Sequence, residues 1–104
     1  MEKLIAGKLY DTENAERVAS WSTGGSRSDF SYMEEALYRT VNDRWFIYGE
    51  GHGKTRYAST TPDGMKGFGE DIRALSEQDA FEWCQRRGKV DTAREHFPDH
   101  FEPA

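Results

Sequence analysis

Residues 30–50 read FSYMEEALYRTVNDRWFIYGE, and the fold turns on how they pair. Two aromatic-rich runs flank an Asn-Asp step, which predicts an antiparallel β-hairpin. In the first arm Phe30, Tyr32, Ala36 and Tyr38 share one face at period two; Met33, Leu37 and the stem of Arg39 share the other. With Asn42-Asp43 as a two-residue loop, Val41 faces Arg44, Arg39 faces Phe46, Leu37 faces Tyr48 and Glu35 faces Glu50. A longer turn shifts this register.

N-terminal to the hairpin, Leu4 to Tyr10 alternates loosely as a first strand ending at Asp11. Asp11-Thr12 offers an N-cap for a short helix over Glu13 to Ala19, closed by Trp21. Ser22 to Ser28 (STGGSRS) has loop composition. C-terminal to the hairpin, Thr61-Pro62-Asp63-Gly64 is a turn, and Glu70 to Leu75 an edge strand. Ser76 to Arg87 is the clearest helix. Ser76 caps it, Glu77 and Asp79 oppose the positive dipole end, Arg86 and Arg87 the negative end, and Gly88 stops it. Ala80, Phe81, Trp83 and Cys84 form its apolar face. A second helix from Asp91 to Phe97 ends at Pro98, and the last residues are expected to fray. The expected fold is α+β: one domain over 1–104, compact over about 3–97, with a twisted antiparallel sheet around the 30–50 hairpin and the 76–87 helix on one side. Trp21, Phe81, Trp83 and one aromatic hairpin face are expected to make the core.

The chain has 104 residues, 19 Asp and Glu against 14 Lys and Arg, and a net charge of −5. That length holds one domain. The charge disfavours direct binding to nucleic-acid phosphates or anionic membranes. Mean hydropathy is −0.92, and no run approaches the roughly 20 apolar residues of a membrane span. One cysteine, Cys84, excludes an internal disulfide, and the N-terminus lacks the apolar stretch of a signal peptide. A cytoplasmic protein is expected.

Four features bear on chemistry. Tyr48 to Thr55 (YGEGHGKT) resembles a phosphate loop, but the glycine that must precede Gly53-Lys54-Thr55 falls on Tyr48, so the run reads as a loop closing a hairpin. His96 and His100 have the spacing of a helical metal pair, but Pro98 interrupts it; no metal or cofactor is expected. Cys84 reads as a structural thiol on an apolar helix face. Glu35 opposite Glu50 is either a neutralised surface pair, a partner contact, or a carboxylate pair for acid–base chemistry. Charge placement says more. Between 63 and 82 stand Asp63, Glu70, Asp71, Glu77, Asp79 and Glu82 against only Lys66 and Arg73, so most of the net charge sits in one fifth of the chain. Such a segment can imitate a phosphate track and occupy a basic groove on another protein, or be a solvated face.

Several motifs together resemble a known family. Lys8 to Ala15 is similar to a K-x-Y-D-T-x-T-A opening. Asp29-Phe30 with Glu34 to Arg39 is similar to D-F-x-x-x-E-E-T-L-Y-R. Phe46 to Gly51 with Tyr57-Ala58 is similar to F-F-L-H-G-E-G-G and K-Y-A. Ile72 to Ser76 with Ala80 to Trp83 is similar to I-I-P-L-S and E-A-x-E-W. This order, over roughly 3 to 87, resembles small proteins carried by phages, plasmids and integrative elements of bacteria, gene pools in which some members are anti-CRISPR proteins. Asn14 and Ala74 stand where that pattern has Thr and Pro. Residues 89–104 do not resemble the ribbon-helix-helix segment that some relatives append. The resemblance implies a non-enzymatic inhibitor in the host cytoplasm that binds a protein partner, a Cas effector or other defence complex, and blocks its nucleic-acid-binding surface. Glu70, Asp71, Glu77, Asp79 and Glu82, with Glu35 and Glu50, are the candidate contacts. The alternatives are a regulatory or antitoxin-like binding module and a small enzyme using Glu35 and Glu50. The oligomeric state is left open.

Overall fold

The computed structural model describes residues 1–104. It is α+β, as expected. Strands β1 (Glu2–Ile5) and β2 (Lys8–Asp11) form a hairpin, and β3 (Glu16–Ser22), β4 (Met33–Arg39) and β5 (Trp45–Gly51) follow. Next come a two-residue ribbon, β6 (Ser59–Thr60) with β7 (Lys66–Gly67), the strand β8 (Gly69–Leu75), and helices α1 (Glu77–Arg87) and α2 (Val90–His96). The main sheet is antiparallel throughout, in the order β3-β4-β5-β8.

The central hairpin forms, but one residue out of the expected register. Asp43 N–H donates to Thr40 O at 3.0 Å, and Asp43 is left-handed at φ 59°. A type I turn followed by a left-handed residue makes a three-residue loop, Val41–Asp43, in place of the two-residue loop. Thr40 Oγ1 accepts from Arg44 N–H at 3.1 Å and fixes the closure. Arg39 therefore pairs Trp45, Leu37 pairs Ile47, Glu35 pairs Gly49, and Glu34, not Glu35, pairs Glu50. Because side chains alternate, a slip of one sends every residue to a new neighbour on the facing strand.

Two further expectations are corrected. The N-terminal segment is a hairpin, turned by Ala6 and Gly7 at φ 51° and 77°. Asp11 does cap, accepting from Glu13 N–H at 2.9 Å, but it caps a single 3-10 turn (Thr12–Asn14); the segment expected to be helical then extends as β3. At the C-terminus Pro98–His100 make a 3-10 turn and the Phe101 ring stacks on Phe81 at 6.1 Å, while residues 101–104 are exposed and outside any helix or strand.

The sheet has a core on each side. On one face Leu37, Trp45 and Ile47 meet Ala80, Phe81, Trp83 and Cys84 of α1 and Ala93 and Phe97 beyond it, with Trp21 packed at the margin. On the other, Tyr10 of the N-terminal hairpin covers Phe46 and Ile72, with Tyr38 and Tyr48 beside them. The aromatic face of β4 thus packs away from the helices. The α1 caps are as expected: Ser76 accepts from Asp79 N–H at 3.0 Å, and Gly88 adopts φ 67°, a left-handed conformation that few other residues take.

Candidate functional site: a carboxylate row on the open sheet face

The N-terminal hairpin covers only one end of the second sheet face. Beyond it three glutamates lie side by side on adjacent strands: Glu34 on β4, Glu50 on β5 and Glu70 on β8. Strand spacing places them across about 10 Å. Tyrosines serve them from within the same face. Tyr32 donates to Glu34 Oε2 at 2.8 Å. The Tyr48 hydroxyl lies 2.7 Å from Glu50 Oε2 and 2.6 Å from Glu70 Oε2. A phenol has one proton to donate, so Tyr48 serves one of these two carboxyls at a time. Glu50 is the group raised: its hydrogen bond to Glu34, then burial, push its carboxyl above the usual carboxylate range. The same hydrogen bond, with that from Tyr32, holds Glu34 below it. Burial and the two carboxylates push the Tyr48 phenol far above its ordinary range, so it stays a donor. The row is an acid–carboxylate pair with a third carboxyl linked through a phenol.

One cation already sits on the row. Arg27, from the 23–32 loop, places Nη2 at 3.4 Å from Glu34 and 3.6 Å from Glu50, while its side chain stays 72% exposed. Its guanidinium lies 5.6 Å from the centre of the Tyr32 ring. A groove of about 520 Å³ runs from this row to β3, between Glu34, Tyr48, Tyr38, Ser20, Ser22 and Arg17.

Glu35 has a different place. By the alternation of β4 it points to the helix face and is 2% exposed. Oε1 accepts from Trp83 Nε1–H at 2.9 Å and Arg87 Nη2 at 3.0 Å. Oε2 accepts from the Tyr57 hydroxyl at 2.5 Å, with Arg73 at 3.7 Å. Arg87 is held flat over Trp21, 3.5 Å from the ring centre. Burial pushes the Glu35 carboxyl up, but the hydrogen bonds from Tyr57, Trp83 and Arg87 outweigh it, and the net shift is downward. Glu35 is a buried ion-pair hub. It does not face Glu50, so the expected Glu35–Glu50 pair does not exist, and the acid–base reading built on it loses its premise.

The glycine run has a packing reason. Tyr57 reaches Glu35 by laying its ring against Gly49, directly across from Glu35; a Cβ on Gly49 would collide with that ring. A Cβ on Gly69 would collide with the Tyr57 carbonyl oxygen. Of the segment that resembled a phosphate loop, residues 48–51 are therefore the end of strand β5, kept bare so that the 52–58 loop can lie on it.

The remaining expected contacts do not form one track. Glu70 belongs to the row. Asp71 is paired with Lys3 at 2.5 Å. Glu77, Asp79 and Glu82 are on α1, across the sheet from Glu70. Glu77 is 3.3 Å from His100; Asp79 and Glu82 share a hollow of about 240 Å³ with Arg73 and Arg86. His96 packs edge-on to Trp45 at 5.4 Å and His100 stacks on Phe81 at 5.5 Å. Cys84 is buried, and burial pushes its thiol up to about 11. Glu34, Tyr48 and Arg27 were the residues missed. The turn Thr40–Asp43 was the signal, since a three-residue loop there puts Glu34 against Glu50. Compared with known proteins, the chain matches no family model, no curated protein and no solved structure.

Proposed function

We propose that this chain is a non-catalytic binding protein that offers the Glu34–Glu50–Glu70 row to a basic surface of a partner protein. The partner class we favour is a Cas effector or another bacterial defence complex, which the chain inhibits by covering the cations that hold guide or target phosphates. The supporting observation is the row itself: three carboxyls in register on an uncovered sheet face, already holding the guanidinium of Arg27. Arg27 is mostly exposed and rides on a loop with Gly24 and Gly25, so an incoming arginine or lysine can replace it. Charged rows of this kind steer encounter and make the complex salt-sensitive. The motif resemblance to mobile-element proteins supplies the class of partner; the acidic residues of α1 become secondary contacts.

The test is phage plating on a CRISPR-immune host expressing the chain, alongside binding of the purified chain to the effector at graded salt. Intact chain is expected to restore plaques. Glu34→Lys with Glu70→Lys, checked for fold by circular dichroism, is expected to abolish both plaques and binding. Arg27→Ala is expected to bind at least as tightly as the intact chain. Unchanged activity in the folded double variant overturns this reading.

A further inference from the structure

We propose that two copies of this chain pair antiparallel along β3, giving one eight-stranded sheet across a two-fold axis. This goes beyond the partner-binding reading and does not depend on it.

The two edges of the sheet are unlike. At β8, Lys3 of β1 reaches over the edge, with Nζ 2.5 Å from Asp71 Oδ1 and 3.3 Å from Ile72 O, and Glu70, Asp71 and Arg73 lie along the strand, so that edge is guarded by charge. At the other edge β3 is paired only on its β4 side. An edge strand leaves alternate backbone N–H and C=O groups unpaired, and natural sheets blunt such edges with charge, proline or bulges. Val18-Ala19-Ser20-Trp21-Ser22 contains no charge and no proline. The one irregularity, between Arg17 and Ala19, lies toward the start and leaves Ala19 to Ser22 in regular register.

The strand is also self-complementary. With Ser20 opposite Ser20 of the second copy, Ala19 meets its Trp21. Beyond the extra residue at Val18, Arg17 meets its Ser22. Every opposed pair then lies on the same sheet face, as an antiparallel ladder requires. Ser22 is paired to Glu34 within its own copy. Arg17 of one copy therefore stands two strand spacings, about 10 Å, from Glu34 of the other, a gap that the two long side chains close between them. In a chain of net charge −5, this margin carries Arg17 and Lys89 beside Glu34, so it is a place where two acidic chains meet without strong repulsion.

The two-fold axis stands perpendicular to the sheet, so both glutamate rows open on the same side and both helix pairs on the other.

Sedimentation of the purified chain, up to millimolar concentration, is expected to show twice the chain mass; the single-chain mass throughout overturns the proposal. Ser20→Lys sets two ammonium groups directly opposite each other at the axis and is expected to halve the mass, with the circular dichroism spectrum kept. Amide exchange on the unaltered protein tests the same surface without substitution. Amides of residues 18–22 are expected to exchange more slowly as concentration rises. Concentration-independent exchange there, or a folded Ser20→Lys variant that remains double, overturns the proposal.

Discussion

At the scale of single residues, Glu35 carries more of the structure than any other charged group. It is the one buried charged residue, and Arg73, Arg87, Tyr57 and Trp83 all converge on it. A buried pair adds little over an apolar replacement of the whole set, but removing one partner strands the other charges. Glu35→Ala is expected to cost about 3–5 kcal/mol in urea unfolding, with Trp21 and Trp83 fluorescence reporting the loss of the arginine stack. A cost under about 1 kcal/mol, within the range of surface pairs, sinks this account. Gly49→Ala tests the same hub from the other side, since the added methyl displaces the Tyr57 ring. Its expected cost is about 1–3 kcal/mol, the range for overpacking. Its signature is a fall in the Tyr57 phenol pKa from about 12 toward its ordinary 10.0, because the ring leaves its buried place beside Glu35.

At the scale of elements, what the sequence disclosed depended on how locally each element is determined. Helix α1 was legible to the residue because Ser76, the acidic first turn, the basic last turn and Gly88 are all local signals. Ser76→Ala is expected to cost about 1 kcal/mol, read as a shift in the denaturation midpoint with an unchanged slope. The existence of the central hairpin was equally plain, but its register was not. It hangs on Asp43 taking a left-handed conformation, which Asn and Asp do more readily than most residues though less readily than Gly. That one torsion decides whether Glu34 or Glu35 stands beside Glu50, and with it which carboxylates form a site. The helix expected over Glu13 to Ala19 gives way to strand β3 (Glu16–Ser22) for a different reason. A good cap at Asp11 suggested a helix, but the seven residues that follow are held as a strand by pairing with β4, a partner remote in the chain. The cap survives as a single 3-10 turn. The covering of the second sheet face by Tyr10 was also invisible locally, since it is a contact between elements far apart in sequence.

At the scale of the whole molecule, the chain is a slab of 49 × 34 × 19 Å with only 18 of its 104 residues buried, so carboxylate titration weighs heavily in its stability. Two groups pull in opposite senses. Glu35 has its folded pKa lowered below the ordinary 4.5, so its contribution is present above that value and is lost as pH falls through the lowered one. Glu50 has its folded pKa raised above 4.5, so the folded state binds the extra proton more tightly than the unfolded chain. Its contribution is full below 4.5 and is lost as pH rises through the raised value. Glu34 and Glu50 titrate as a pair, one proton leaving below and one above the ordinary range. Stability is therefore expected to peak in mildly acidic buffer and to decline toward neutral pH. Glu50→Gln separates the terms. The amide keeps an acceptor for Tyr48 and donates to Glu34 as the protonated carboxyl does, but has no proton to lose. Thermal unfolding of this variant is expected to lose the decline on the neutral side while keeping the acid-side loss set by Glu35. If the decline persists unchanged in Glu50→Gln, the extra proton does not reside on Glu50, and another group sets the neutral-side loss.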